Sequence, residues 1–141
     1  MEERMNSDFE LKKKLSLGLF TLRVGVFVVM FMWTLDKFVN PSHAKAVFEN
    51  FYFLSGFEDL AMWLIGALEL VLILAFLVGF QKRFTYGLVF LIHFVSTVSS
   101  FKQYLNPWQN PNLLFFAAWP MLAACYVLYS MRDHDDRFTI H

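Results

Sequence analysis

The sequence predicts an all-α fold: a four-helix transmembrane bundle with both chain ends on the cytoplasmic side and a short interfacial helix in the first outer loop. Three observations predict it. Four continuous apolar runs, each of about 20 residues, are separated by polar segments, and that is the length needed to cross about 30 Å of hydrocarbon at about 1.5 Å per residue. Charged residues make up 17% of the 141-residue chain and hydrophobic ones 57%, whereas a soluble domain carries about 25% charge. Lysine and arginine, finally, are distributed unevenly about the four runs.

The first run extends from Leu15 to Val39. Lys12, Lys13 and Lys14 before it and Ala44-Lys45-Ala46 after it imitate a signal peptide and its cleavage site. The apolar stretch, however, exceeds the roughly 7–15 residues of a signal core, and Pro41 intervenes, so an uncleaved helix is expected. The second run is Leu60 to Phe80, the third Phe84 to Tyr104 and the fourth Leu113 to Met131. None alternates polar with apolar residues, and inside lipid a helix satisfies its own backbone without a neighbour, so helices are expected rather than barrel strands. The chain then divides into a cytoplasmic segment 1–14, a transmembrane domain 15–131 and a cytoplasmic tail 132–141. Eighteen phenylalanines suit lipid-facing surfaces, and the zero net charge offers nothing to nucleic acid. The lone Cys125 cannot form an internal disulfide and excludes a paired-cysteine redox enzyme.

Orientation follows from the basic residues. With the N-terminus inside, Arg4, Lys12, Lys13, Lys14, Lys82, Arg83, Arg132 and Arg137 fall on the inner side, and Lys37, Lys45 and Lys102 on the outer side. Four crossings return the C-terminus to the cytoplasm. The turn Gln81 to Arg83 is short and forces an antiparallel pair. In the long outer segment Asn40–Asp59, Ala44, Val47, Phe48, Phe51 and Tyr52 recur at helical spacing, which predicts a short helix at the outer interface. The second outer loop, Asn106 to Pro111, contains two prolines and is expected to be irregular, with Trp108 as an interface anchor. Trp119-Pro120 should kink the fourth helix.

Ionisable groups within spans are costly and therefore informative. Arg23, Glu69 and His93 are expected to meet at one depth, with Arg23 pairing Glu69 and holding it ionised. Such a pair serves either helix register alone or a binding or proton-relay site. Tyr86, His93, Thr97, Ser100 and Tyr104 share a face of the third helix. That face either makes interhelical hydrogen bonds or lines a pocket open to the outside. His93 has no second ligand on its face, so no metal or haem is expected there. Lys37 continues the Arg23 stripe to the outer mouth. The tail Arg132-Asp133-His134-Asp135-Asp136-Arg137 holds residues that can bind metals, but it is expected to be solvated and mobile.

Leu22-Arg23-Val24-Gly25 in the first helix, Lys37 and Pro41 at its outer end, Gly66-Ala67-Leu68-Glu69, Gly79 and the basic turn Lys82-Arg83 together resemble the DoxX-like membrane protein superfamily. The resemblance covers Leu15 to Met131 and departs at Thr34, where the family has glycine. It implies a four-helix bundle in a bacterial inner membrane and, with less force, accessory work in membrane redox or oxidative-stress systems, with quinone as cofactor and a membrane or periplasmic redox partner. It singles out Arg23, Lys37 and Glu69.

Fold analogy does not license a reaction, and a stand-alone enzyme is not the expectation. The favoured reading is an accessory subunit binding a quinone-like molecule through Arg23, Lys37, Glu69, Tyr86, His93, Thr97, Ser100 and Tyr104. The alternatives are a scaffold holding a soluble partner through Asn40–Asp59, and a proton-coupled transporter using Glu69, for which four spans would require a homodimer.

Overall fold

The computed structural model describes residues 2–140, which contain helices and turns and no strand. Six α-helices follow in order: α1 (Glu2–Val39), α2 (Pro41–Tyr52), α3 (Asp59–Leu77), α4 (Lys82–Ser99), α5 (Phe101–Leu105) and α6 (Ala118–Ser130). Two 3-10 turns, Asn112–Ala117 and Arg132–His134, flank α6. Three stretches, residues 3–39, 59–77 and 112–130, are long and apolar enough to cross a membrane. Helix α4 is of similar length, but it opens on Lys82 and Arg83 and carries Thr85, Tyr86, His93 and Thr97 on its buried face, and these residues lower its hydropathy.

Helix α1 begins well before the first apolar run because its opening residues are mostly good helix formers without proline or glycine. Its 38 residues span about 57 Å at about 1.5 Å each. Residues 3–14 are exposed, and the buried stripe begins at Ser16 and continues through Leu19, Arg23, Val26, Met30 and Thr34. The spacing of three and four is that of one helix face.

The short helix expected between the first two spans is α2. Pro41 opens it, where a missing N–H costs nothing, and the Asn40 side chain accepts from the His43 N–H at 3.4 Å. The predicted stripe faces inward, with Ala44 buried and Val47, Phe48, Phe51 and Tyr52 half-buried. It packs on α1, α3 and α4, and Phe51 stacks on Phe115 at 5.6 Å. Helix α2 therefore covers one end of the molecule, called here the outer end.

At the opposite, inner end, α3 stops at Leu77 rather than at Phe80, because Gly79 and Gln81 adopt positive φ of 66° and 47° and turn the chain into α4. The expected kink at Trp119-Pro120 takes a different form. Proline cannot donate and crowds the carbonyl four residues back, and the chain runs as a 3-10 turn through Ala117 before α6 starts at Ala118. Pro120 sits in the first turn of α6, where its missing donor is tolerated.

Helix α1 packs on α3 and α6, and α4 packs on the same two. Helices α1 and α4 thus face each other across the middle, where the Trp33 and His93 rings stack at 5.9 Å. The interior is an aliphatic and aromatic core of Leu19, Val26, Met30, Ile73, Phe76, Val89, Cys125 and Leu128, yet Arg23, Thr34, His93, Thr97 and Asp135 are also fully or nearly fully buried. The exterior is the reverse: Leu68 and Val71 are 75% and 68% exposed, and Trp63, Leu64, Leu91, Phe94 and Leu114 are exposed with them. Polar groups inside and large apolar groups outside suit lipid as the surrounding solvent, since a soluble monomer rarely shows contiguous apolar patches beyond a few hundred Å².

The α1–α3 contact depends on Gly66. A Cβ there would lie 2.9 Å from the Phe38 ring and 3.2 Å from Lys37 Cβ. Gly66→Val should separate the helices at a cost of about 1–3 kcal/mol, measurable as a lower midpoint of thermal unfolding in detergent; an unchanged midpoint would contradict this packing.

Candidate functional site

Two polar clusters lie along the interior, one at each end. The inner one is built on Arg23, whose side chain is 0% exposed. Its Nη1 lies 3.2 Å from Asp135 Oδ2 and donates to the Tyr86 hydroxyl at 3.1 Å, while that hydroxyl donates to Asp135 Oδ2 at 2.7 Å. The other terminal nitrogen, Nη2, donates to the Arg137 carbonyl. The guanidinium also lies 5.4 Å from the centre of the Phe20 ring. A buried charge costs several kcal/mol unless paired and hydrogen-bonded, and this triad from α1, α4 and the C-terminal segment supplies both.

The C-terminal segment is therefore docked rather than solvated, contrary to expectation. Beyond the 3-10 turn it crosses the inner end as a strap. Lys82 Nζ donates to the Asp135 carbonyl at 2.5 Å, the Ile140 N–H donates to the Val78 carbonyl at 2.9 Å, and Phe138 packs on Phe20 at 5.1 Å. The Ser16 hydroxyl donates to Asp136. Thr139 lies over Gly79, where a Cβ would come within 2.5 Å of its Cγ2. Gly79 is thus needed twice, for its positive φ and for the space the strap occupies.

The outer cluster contains Glu69. The expected Arg23–Glu69 pair does not form: Lys37 Nζ lies 2.6 Å from Glu69 Oε2, both side chains being 11% exposed. Helix register gives the reason. Gly66 lies against Lys37 and Phe38, and Gly79 lies against Arg23. Thirteen residues from Gly66 through the end of α3 to Gly79 thus match fourteen in reverse along α1. Continuing the antiparallel count places Glu69 beside Thr34 and one turn from Lys37. Arg23 and Lys37 are about 21 Å apart along α1 at about 1.5 Å per residue. Lys37 also donates to the Trp33 carbonyl at 3.2 Å.

The face predicted for the third span is present. Tyr86, His93, Thr97 and Ser100 are all buried, and Tyr104 on α5 is half-buried. Tyr86 belongs to the inner cluster and the rest to the outer half. Counting up both helices from the Arg23–Tyr86 contact sets Thr97 level with Thr34, and Ser100 level with Lys37. The hydroxyls satisfy themselves locally: Thr34, Thr97 and Ser100 donate to the carbonyls of Met30, His93 and Ser96 at 2.8, 2.8 and 3.2 Å. His93 Nε2 lies 3.0 Å from the Ala118 carbonyl. A carbonyl only accepts, so Nε2 carries a proton. His93 Nδ1, Gln103 Oε1 and Tyr104 Oη are buried without a partner. An apolar groove of about 360 Å³ lined by Gly87, Phe90, Leu91, Phe94 and Tyr129 lies apart from both clusters.

Sequence reasoning missed Asp135 and Gln103. The signal for Asp135 was its nearness in sequence to Met131 at the end of the fourth run, which keeps Asp133, Asp135 and Asp136 close to the inner end, where Arg23 lacks a partner on its own helix. Comparisons with protein-family models, with curated proteins and with solved structures found no match to this chain.

Asp135→Ala should leave Arg23 buried and unpaired and cost about 3–5 kcal/mol, read as a lower unfolding midpoint; a loss well under 1 kcal/mol would show that Arg23 does not depend on the strap. The Ser16 hydroxyl, with Lys82 and Arg137 adding to it, holds Asp136 below the usual carboxylate value of 3.8. The unfolded chain therefore takes up this proton first. The contribution is present above pH 3.8 and is lost as pH falls from there through the lower folded value, so amide protection of residues 136–140 should persist at pH 5 and decline below 3.8.

Proposed function

We propose that the chain is a DoxX-like bacterial inner-membrane protein, multi-pass with four spans and both ends cytoplasmic, that serves as an accessory subunit of a membrane redox or oxidative-stress system. Its outer half binds a small quinone-like amphipathic molecule. Support for four spans comes from α4, which lies among the three more apolar stretches and is packed on two of them. Support for the orientation comes from the basic residues of the inner end.

The observation that carries the binding reading is the set of three buried polar atoms without partners: His93 Nδ1, Gln103 Oε1 and Tyr104 Oη. A buried polar group left unpaired costs about 1–3 kcal/mol, and a ligand whose hydroxyls donate to His93 Nδ1 and Gln103 Oε1 and whose oxygen accepts from the Tyr104 hydroxyl relieves that cost. Lys37 and Glu69 supply charge at the same end, and Trp33 and Phe116 supply aromatic walls beside His93 and Tyr104. The ligand would then be polar at its head, with hydroxyls to donate, and apolar elsewhere, as a quinone in its reduced, quinol form is. The Lys37–Glu69 pair weighs against a transporter whose carboxylate must gain and lose a proton freely.

Solvent extraction of protein purified from native membranes should yield a quinone, and added quinone should raise the unfolding midpoint. Tyr104→Phe removes a buried hydroxyl that has no partner among the described residues, so stability without added quinone should hold or rise, by up to about 1–3 kcal/mol, while affinity falls about tenfold. Absence of both extracted quinone and a midpoint shift would reject the ligand reading.

A further inference from the structure

We propose that Arg23, Tyr86 and Lys82 form an anion-binding site at the inner end, that Asp135 occupies it as an internal stand-in, and that a phosphate group displaces the strap 135–140. The inference rests on the inner end lying at a bilayer surface, and it does not depend on a ligand in the outer half.

Four features support it. Arg23 is fully buried and always requires an anion beside it, but nothing about the guanidinium demands that the anion belong to this chain. Its Nε–H is buried and unpartnered, so the site has one more donor than the strap uses. Asp135 sets one oxygen, Oδ2, on Arg23 and Tyr86 and leaves Oδ1 buried without a partner, so the carboxylate does not meet the spare Nε–H, whereas a tetrahedral phosphate presents oxygens in several directions. Third, the strap is held mainly by polar contacts. Asp135 is buried, but Phe138 and Ile140 remain 77% and 56% exposed, so little apolar burial opposes release. Fourth, basic residues outnumber acidic ones around the site: Lys82, Arg83, Arg132 and Arg137 stand against Asp133 and Asp136, and Lys12, Lys13 and Lys14 precede the buried stripe of α1. Basic clusters at a membrane surface concentrate anionic phosphates.

The exchange is a competition in which one anion leaves Arg23 as another arrives, so the buried cation is never bare. With the phosphate bound, Asp135 is free in water, the Ile140–Val78 hydrogen bond opens, and Gly79 is uncovered.

Hydrogen exchange on the full chain tests this. Protection of the strap amides, Ile140 above all, is measured in nanodiscs of zwitterionic lipid, in nanodiscs containing phosphatidylglycerol, and in zwitterionic nanodiscs with inorganic phosphate or with sodium chloride at equal ionic strength. Protection should fall about tenfold once the phosphate-bearing species is at about ten times its dissociation constant. Release by phosphatidylglycerol alone identifies a headgroup, and release by inorganic phosphate identifies a free anion. Asp135→Asn should release the strap in every condition, and Asp135→Glu should restore most of the protection. Unchanged protection of the unmodified chain in both phosphate conditions, or equal loss with chloride, overturns the proposal and leaves Asp135 a permanent structural partner.

Discussion

Arg23 must have an anion, and much of the architecture at the inner end follows from that requirement. Its helix places it on the buried stripe between Leu19 and Val26, so the guanidinium has no route to water. The carboxylate that meets it comes from beyond the last helix, over a hundred residues away in sequence. To deliver Asp135 the chain must turn back after α6 and cross the mouth of the helices. To make room for that crossing the α3–α4 turn must have no side chain at Gly79. Tyr86 completes the arrangement by donating to the carboxylate while accepting from the guanidinium. One buried charge thus links α1, the α3–α4 turn, α4 and the chain terminus.

The outer end resolves a similar demand differently. Lys37 and Glu69 retain some solvent contact, so their desolvation is less severe and their attraction more screened. Helix α2 lies across this end and is tied to its neighbours by pairs that reach water: His43 with Asp36 at 2.7 Å and Lys45 with Asp59 at 2.7 Å. Between the ends, the polar side chains of α4 either bond to their own helix or, as with His93, to a neighbour. The unpartnered polar atoms are unevenly placed. Three are in the outer half, and the remaining two are Arg23 Nε and Asp135 Oδ1. The spare hydrogen-bonding capacity of the described residues thus lies at the inner end and along the stretch from His93 to Tyr104.

The helices were legible because their signals are local. Twenty apolar residues in a row, a proline after Asn40 and the spacing of Ala44, Val47 and Phe51 each act within a turn or two of chain. The faces were legible for the same reason: Arg23 with Met30 and Thr34, and His93 with Thr97 and Ser100, are the residues that a period of 3.6 places together, and all are buried. The pairings were not legible. Assigning Arg23 to Glu69 required the relative sliding of two antiparallel helices, and a shift of about ten residues exchanges one partner for another. That shift is set where Phe38 meets Gly66, a contact between residues 28 positions apart. The strap escaped for a related reason, since the sequence does not say which of three neighbouring aspartates, Asp133, Asp135 or Asp136, will be turned onto the buried cation.

By itself, then, the amino-acid order determined that this chain is helical, that several of its helices are long and apolar enough for a bilayer, and which side chains turn inward. Those properties depend on residue type and helical period, which need no knowledge of neighbouring elements. Tertiary structure decided which charges meet. It set Asp135 on Arg23 and Glu69 on Lys37, and left His93 Nδ1, Gln103 and Tyr104 without protein partners. The physical reason is that ion pairing falls off over a few ångströms, whereas the register that brings two charges within that distance is the summed outcome of packing along whole helices.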